Sequence, residues 1–452
     1  MSVGIFPLAR VTFDMDLAHA RHGAILTRLE KTAHRILGGE RLLTTTEEVV
    51  GADTDLRDAG IRTALILQLT FTDAEAVEHL GQVFTGDLSI WSVPEARTGD
   101  RLRLNSFCGL HLASHSLSCL DRKFRWHFGD PEQMSEEMMN DLLDGDPVQP
   151  LIPGKPRKKQ NDDYPNYRVG VIGEHPPGFT TCRYDAGTLE QEFGVTTVEM
   201  GLRDLFAEAT ELDPEHRAPL LEEITQLEGS DHLAPDPVGK SLDLSIALDN
   251  LAASKGLDGF ALKCWPEMFT DYGAAACAAA SLLGERRIPC ACECDVFGAL
   301  SQIVLNDITA APSFLTDIVD MDIASDTGVI WHCGQAPRSM CPEGTEPRVT
   351  VHSNRREPLL FEFPLKPGNI TLMRISRSYG ATKLILFKGT VLDAPMAYSG
   401  TSGVVRFERT VADLLPDMLA SGLEHHVATA YGDHRPALRK WADNRGLPIL
   451  EL

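Results

Sequence analysis

GFALKCWPE at residues 259–267 and IPCACECDVFGALSQIVL at residues 288–305 decide how this chain is read. Each opens on a short apolar run, Gly259 to Lys263 and Ile288 to Cys292, with the length and composition of a buried strand. Each run then breaks into polar residues, Lys263 to Glu267 in the first and Cys292 to Asp295 in the second, and the second continues as a helix-like stretch after Asp295. Strand, polar turn and helix in that order are the unit of a parallel sheet covered by helices. In such sheets ligands collect beyond the carboxyl ends of the strands, where these polar residues stand.

The same alternation runs outward from this centre. Toward the N-terminus, Val3 to Leu8, Thr63 to Leu69 and Leu88 to Val93 read as strands, and Asp16 to Leu37 and Asp73 to Phe84 as helices, with Thr72 and Asp73 as caps. A strand at Tyr167 to Gly173 and helices near Leu202 to Ala209, Pro219 to Gln226 and Lys240 to Ser254 precede the central stretch. The segment LIPGKPRKKQNDDYPNY at 151–167 has no periodicity and reads as a domain boundary. Beyond Glu346 the pattern turns to β-branched and aromatic runs, at Arg348 to His352, Leu359 to Pro364, Asn369 to Ser376, Lys383 to Val391 and Gly403 to Arg409. Lys366-Pro367-Gly368 and Ser378-Tyr379-Gly380 mark turns among them. The segment Thr410 to Ala420, HHVATAYGDHRPAL, a helix ending at Arg445 and a strand Pro448 to Leu452 close the chain. The expected fold is α/β: two doubly wound α/β domains, residues 1–160 and 161–345, followed by a small antiparallel β-rich domain, residues 346–452.

Composition narrows the function. The chain has 452 residues, and 42 basic against 65 acidic side chains give a net charge of -23, which repels a phosphate backbone and disfavours nucleic acid as a partner. No apolar run reaches the roughly 18 to 20 residues of a membrane helix, and MSVGIFPLAR lacks the layout of a secretory signal, so a cytoplasmic protein is expected. Ten cysteines are too sparse for a disulfide scaffold and read as reduced thiols.

Four polar clusters can carry chemistry: Lys263 to Glu267, Cys292 to Asp295, Trp331 to Gly334, and the pair His425-His426. Carboxylates mixed with imidazole suit Mn²⁺ or a similar divalent ion better than a closed zinc site. Such an ion can hold adjacent sugar oxygens and acidify a neighbouring C–H, so that a carboxylate can carry a proton between two carbons through an enediol. The competing reading is a thiolate site, since Cys290, Cys292 and Cys294 alternate and a strand would put all three on one face, but the spacing is not that of a zinc knuckle and packing as small hydrophobes explains them. Taken singly, a carboxylate is more often structural than a ligand, and residues alone lead no further than an α/β protein with a metal-site candidate.

PLARVTFD at 7–14, LQLTFTDAEA at 67–76, VPEARTGDRLRLNSFCGLHLASH at 93–115, the stretch from KCWPE to CECD and HHVATAYG at 425–432 occur in one order, and in combination the chain resembles a shorter branch of the L-fucose/L-arabinose isomerase family. The resemblance implies an aldose–ketose isomerase using Mn²⁺, or Co²⁺ or Mg²⁺, held by acidic residues of the middle domain and a C-terminal histidine. Asp295, with Glu293, falls on the family's Glu-x-Asp element, His426 on its histidine, and His332 resembles a histidine of the arabinose-isomerase site. The family's first catalytic glutamate falls near Cys277, where GAAACAAASLL has no carboxylate. Glu267 is therefore taken as the second ligand and candidate base, with Asp271 as the alternative. The expected metal set is Glu267, Asp295 and His426, and the expected proton carriers are Glu267 and Asp295. Arg10, Gln68, Arg97 and Asn105, with His332, are the expected substrate contacts. The resemblance also implies a homo-oligomer, often a hexamer, whose sites are completed by a neighbour's N-terminal domain. Arg97, Arg101 and Arg103 are either a solvated charge run or the seat of an anionic group on the sugar. The missing glutamate near Cys277 leaves open a sugar-binding relative without activity, and a lyase acting on a sugar acid is chemically close.

Overall fold

The computed structural model describes residues 2–154 and 165–452. Most of the expected boundary segment, residues 155–164, lies outside the described residues.

Three sheets organise the chain. In the first, β1 (Ser2–Leu8), β2 (Arg35–Gly38), β3 (Thr63–Gln68), β4 (Asp87–Ser92) and β5 (Arg125–Phe128) pair in the order β2-β1-β3-β4-β5, every pair parallel. The order reverses between β1 and β3, which opens a crevice beyond their carboxyl ends. β1 and β3 are almost wholly buried, as a sheet covered on both faces requires. The helix expected from Asp16 to Leu37 stops at Leu29, and Arg35–Gly38 forms the edge strand β2 instead. Of the caps expected for the next helix, Asp73 accepts the Glu75 N–H through Oδ1 at 3.2 Å, although the helix proper spans Glu75–Val83.

The second sheet, also parallel, has the order β7-β6-β8-β9, with β6 Arg168–Ile172, β7 Thr196–Met200, β8 Gly259–Leu262 and β9 Cys290–Ala291. β9 is only two residues long, so the alternation of Cys290, Cys292 and Cys294 along one strand face does not occur. The chain instead turns sharply, with Glu293 at φ 61° and Cys294 at φ 58°. All ten cysteines are free thiols.

The third sheet has nine strands, in the order β12-β13-β16-β11-β10-β17-β14-β15-β18. They are β10 Phe314–Asp322, β11 Thr327–His332, β12 Arg348–Val351, β13 Pro358–Pro364, β14 Gly368–Ser378, β15 Ala381–Val391, β16 Thr401–Phe407, β17 His426–Tyr431 and β18 Ile449–Glu451. Most pairings are antiparallel, while β13–β16 and β15–β18 are parallel. The sheet begins at Phe314 rather than after Glu346, because β10 and β11 lie at its middle. The turn at Tyr379-Gly380 closes the β14–β15 hairpin with both residues at positive φ, 51° and 67°, the geometry whose twist matches a two-residue hairpin. The two α/β layers and the β-rich C-terminal layer are thus the architecture expected. Helix Val296–Thr309 packs against β14 and β17 on one side and β8 on the other, joining the second and third sheets.

Candidate active site

The cavity of interest lies where the carboxyl ends of the two parallel sheets meet the middle of the third. Its walls include Arg10, Phe13, Phe71 and Asn105 from the first sheet's loops, Cys264, Trp265, Cys292 and Glu293 after β8 and β9, and Asp317, Trp331, His332, His352, Arg355 and His425 from the third sheet and its loops. The chain's own N-terminal residues therefore supply one wall.

Strand register brings the ionisable groups together. Asp317 of β10 and His426 of β17 are direct cross-strand partners, which sets their side chains side by side on one face. His426 Nε2 lies 3.5 Å from Asp317 Oδ1 and 3.7 Å from Glu293 Oε2, and neither Nε2 nor Asp317 Oδ1 has a hydrogen-bond partner. Burial, reinforced by the Glu293 charge, pushes the Asp317 carboxyl well above its ordinary range. Burial likewise raises Glu293, against the pull of His426. Burial and then His425 depress His426, which is therefore a neutral imidazole with a free ring nitrogen. Two carboxyl groups beside a histidine whose Nε2 has no hydrogen-bond partner fit a divalent ion held by two oxygens and one nitrogen. Glu293–His425–His426 and Asp317–His332–His426 both have their donor atoms within 4.8 Å of one another.

Asp295 has a different position. Its Oδ2 accepts from Arg374 Nη1 at 2.6 Å and from His426 Nδ1 at 2.9 Å, and its Oδ1 accepts from Arg374 Nη2 at 2.9 Å and the Gly298 N–H at 2.8 Å. Those four donors fill the acceptor sites of a carboxylate. Burial opposes ionisation, but Arg374 and His426 overcome it and hold Asp295 far below the usual carboxylate range. Asp295 so fixes the His426 proton on Nδ1 and aims Nε2 into the cavity, as carboxylates do behind metal-binding histidines. It also caps helix Val296–Thr309.

Glu293 reaches the cavity through a strained turn. Two consecutive residues with positive φ that are not glycine cost about 1–3 kcal/mol each, and such strain concentrates at functional sites. The Glu293 N–H donates to Cys264 Sγ at 3.4 Å, and Glu293 Oε2 lies 3.0 Å from His425 Nε2.

The other expected residues divide. His332 lines the cavity; its Nδ1 accepts the Cys333 N–H at 2.8 Å, so Nε2 carries the hydrogen and offers a donor. Arg10 and Asn105 line the cavity, and Asn105 Oδ1 is buried without a partner. Gln68 is buried among Thr70, Thr72 and Gly109, away from it. Arg97 is tied to Asp320 at 2.7 Å and to Thr327, and Arg103 to Asp14 at 2.8 Å. Glu267 is paired with Lys263 at 2.7 Å outside the cavity, and Asp271 is exposed beside Thr270. Glu267→Gln is accordingly expected to leave turnover within about twofold, since it alters only a partly exposed ion pair; a hundredfold loss in a steady-state assay would return Glu267 to the chemistry.

Asp317, Arg355 and Arg374 were not singled out from sequence. Asp317, the first of three aspartates in the otherwise apolar run FLTDIVDMD, and a lone Arg in NITLMRIS are the available signals, because neither residue is ordinarily buried in a strand unpaired. Arg355 lies over the Trp265 ring at 5.6 Å, and Arg10 lies over the same ring at 4.8 Å. Arg10 has one ion-pair contact, to Asp73 at 3.3 Å, while Arg355 has none among the described residues. Burial and then the Arg10 charge lower the Arg355 pKa.

Residues 4–148 match the family model described as fucose/sulfoquinovose isomerase, N-terminal domain, and residues 361–450 match L-fucose isomerase, C-terminal domain. The sulfoquinovose isomerase of Alkalicoccus urumqiensis is 30% identical over 461 residues, covering 100% of this chain and 99% of the relative. Those of Priestia aryabhattai and Clostridium sp. (strain MSTE9) are 29% and 28% identical, covering 94% and 98% of this chain and 94% and 97% of the relatives. Similarity that spans both chains end to end, on the architecture and cavity described above, places this chain in the fucose/sulfoquinovose isomerase family, as an enzyme that interconverts an aldose and a ketose.

Proposed function

We propose that the enzyme is a divalent-metal-dependent isomerase of sulfoquinovose, an aldohexose with a sulfonate on C6, or of an aldose closely similar in shape and charge. The observation that carries this reading is two sets of groups in one cavity: Glu293 and Asp317 line it, with His426 Nε2 3.7 Å and 3.5 Å from their oxygens, and Arg10 and Arg355 lie over the Trp265 ring in its wall. Arginine suits a sulfonate because its planar fork presents paired donors to an oxyanion. Mn²⁺ is the first candidate for the ion, with Co²⁺ and Mg²⁺ acceptable to the same donors.

Glu293, Asp317 and His426 Nε2 would hold the ion. Bound there, it would polarise the sugar carbonyl and make the neighbouring C–H more acidic. The remaining work falls to side chains. Glu293, its pKa raised toward the working range, takes the proton from C2 and returns it to C1, while a hydroxyl proton passes from O2 to O1. His425 lies within hydrogen-bond distance of Glu293 Oε2 and orients that carboxylate. The Nε2–H of His332 and the side chain of Asn105 are placed to bind sugar oxygens, and Phe13, Phe71 and Trp265 exclude water. Glu293 thus supplies the carboxylate absent at Cys277, which removes the motive for a relative without activity.

The deciding assay strips the protein with a chelator, restores Mn²⁺ and follows sulfoquinovose and glucose by NMR. Metal-dependent conversion that prefers the sulfonated sugar is expected. Turnover unaffected by the chelator would remove the metal, and equal rates on glucose would remove the sulfonate. Arg355→Met is expected to raise KM for the sulfonated sugar roughly tenfold to a hundredfold, the value of one or two hydrogen bonds to a charged group, with kcat for any neutral sugar little changed.

A further inference from the structure

Helix Ser106–Cys119 carries its first residues toward the cavity and ends on an exposed cysteine, whereas the other nine cysteines are buried or half-buried. Cys119 Sγ lies 3.4 Å from Nε2 of His115, one helical turn earlier, with a longer contact of 3.9 Å to the Arg377 carbonyl. His115 is only 2% exposed, and its Nδ1 lies 2.9 Å from the carbonyl oxygen of Gly422. A carbonyl can only accept, so Nδ1 carries the hydrogen and Nε2 of the neutral ring offers its lone pair to the thiol. A thiol beside a base that a third group orients is the arrangement that activates sulfur nucleophiles.

The surroundings favour the same charge state. Arg183 and the buried ammonium of Lys383 interact favourably with a thiolate at this position, Glu424 opposes it, and Tyr379 lies beside Cys119 as His425 does beside His115. Burial works against the charged thiol, yet the His115 charge and hydrogen bond prevail and lower its pKa. Burial also works against a charged His115, and the Cys119 charge still raises its pKa to about 9. Neither residue lines the cavity.

We propose that Cys119 is a modification site: a thiolate paired with the His115 imidazolium, which reacts with hydroperoxides and small electrophiles before any other cysteine of the chain. With a hydroperoxide, the sulfur attacks the terminal oxygen, an S–O bond forms as the O–O bond breaks, and the departing oxygen takes the His115 proton. Sulfur is oxidised to sulfenic acid, and the peroxide is reduced to water or an alcohol.

The test treats the folded full-length protein with limiting iodoacetamide between pH 5.5 and 9 and maps the adducts by mass spectrometry. A parallel sample receives hydrogen peroxide and then dimedone. The first adduct is expected on Cys119, at a rate at pH 6.5 roughly tenfold above that of thiols in the denatured chain, with dimedone on the same residue. His115→Gln is expected to slow labelling at pH 6.5 by a similar factor and restore an ordinary thiol profile; should that variant fail to fold, the wild-type profile decides. A wild-type profile matching a free thiol, first labelling at half-buried Cys292 or Cys333, or no dimedone on Cys119 would each overturn the proposal.

Discussion

Glu293→Gln is expected to reduce kcat by roughly three orders of magnitude, within the range attributed to a positioned general base, without unfolding the protein. The substitution keeps size and hydrogen bonding but cannot accept a proton from carbon. It also removes one of two carboxylates from a neutral-histidine cluster, so affinity for the added divalent ion should fall with it. Measuring bound metal beside turnover separates the two effects. At saturating metal, a residual deficit of a hundredfold or more assigns the proton transfer to Glu293. Recovery of wild-type kcat at high metal would leave Glu293 only a ligand and send the search for the base to Asp317.

The second large effect is on stability. Arg374→Met is expected to cost about 3–5 kcal/mol, read as a lowered urea midpoint, because breaking a buried pair leaves its carboxylates without a counter-charge. Arg374 is fully buried, forks onto both oxygens of Asp295, donates to the Thr181 carbonyl at 3.2 Å and approaches Glu424 at 3.8 Å. Loss of the fork also frees Asp295 to rotate, and with it the imidazole of His426, so kcat should fall even in molecules that remain folded. Arg374→Lys keeps the charge without the paired donors and should lie between the two. A midpoint within experimental error of wild type for Arg374→Met would mean that Asp295 is held by other donors.

How much of this was legible beforehand depended on the range of the interaction concerned. GFAL and IPCA announced buried parallel strands because apolar runs of that length have few other uses, and the hairpin at Tyr379-Gly380 was readable from its turn residues. His426, Arg10, Asn105 and His332 were named beforehand and line or adjoin the cavity. Glu267 and Glu293 both follow strands and look equivalent as text, yet one pairs with Lys263 outside the cavity and the other enters it through a left-handed turn. Asp295 was expected as a metal ligand and proton carrier, but its place behind His426 depends on Arg374 from a distant strand.

Local sequence by itself determined the two α/β layers, the β-rich end and the presence of carboxylates and imidazoles at strand ends, because hydrophobic period and turn chemistry act over a few residues. Tertiary structure alone decided which of those groups meet. Asp317 becomes the partner of His426 only through the register of β10 against β17, and Arg355 joins Arg10 only because both pack over the Trp265 ring. Those distances are set by packing between segments far apart in the chain, and a carboxylate acquires its role from the charges packing leaves beside it.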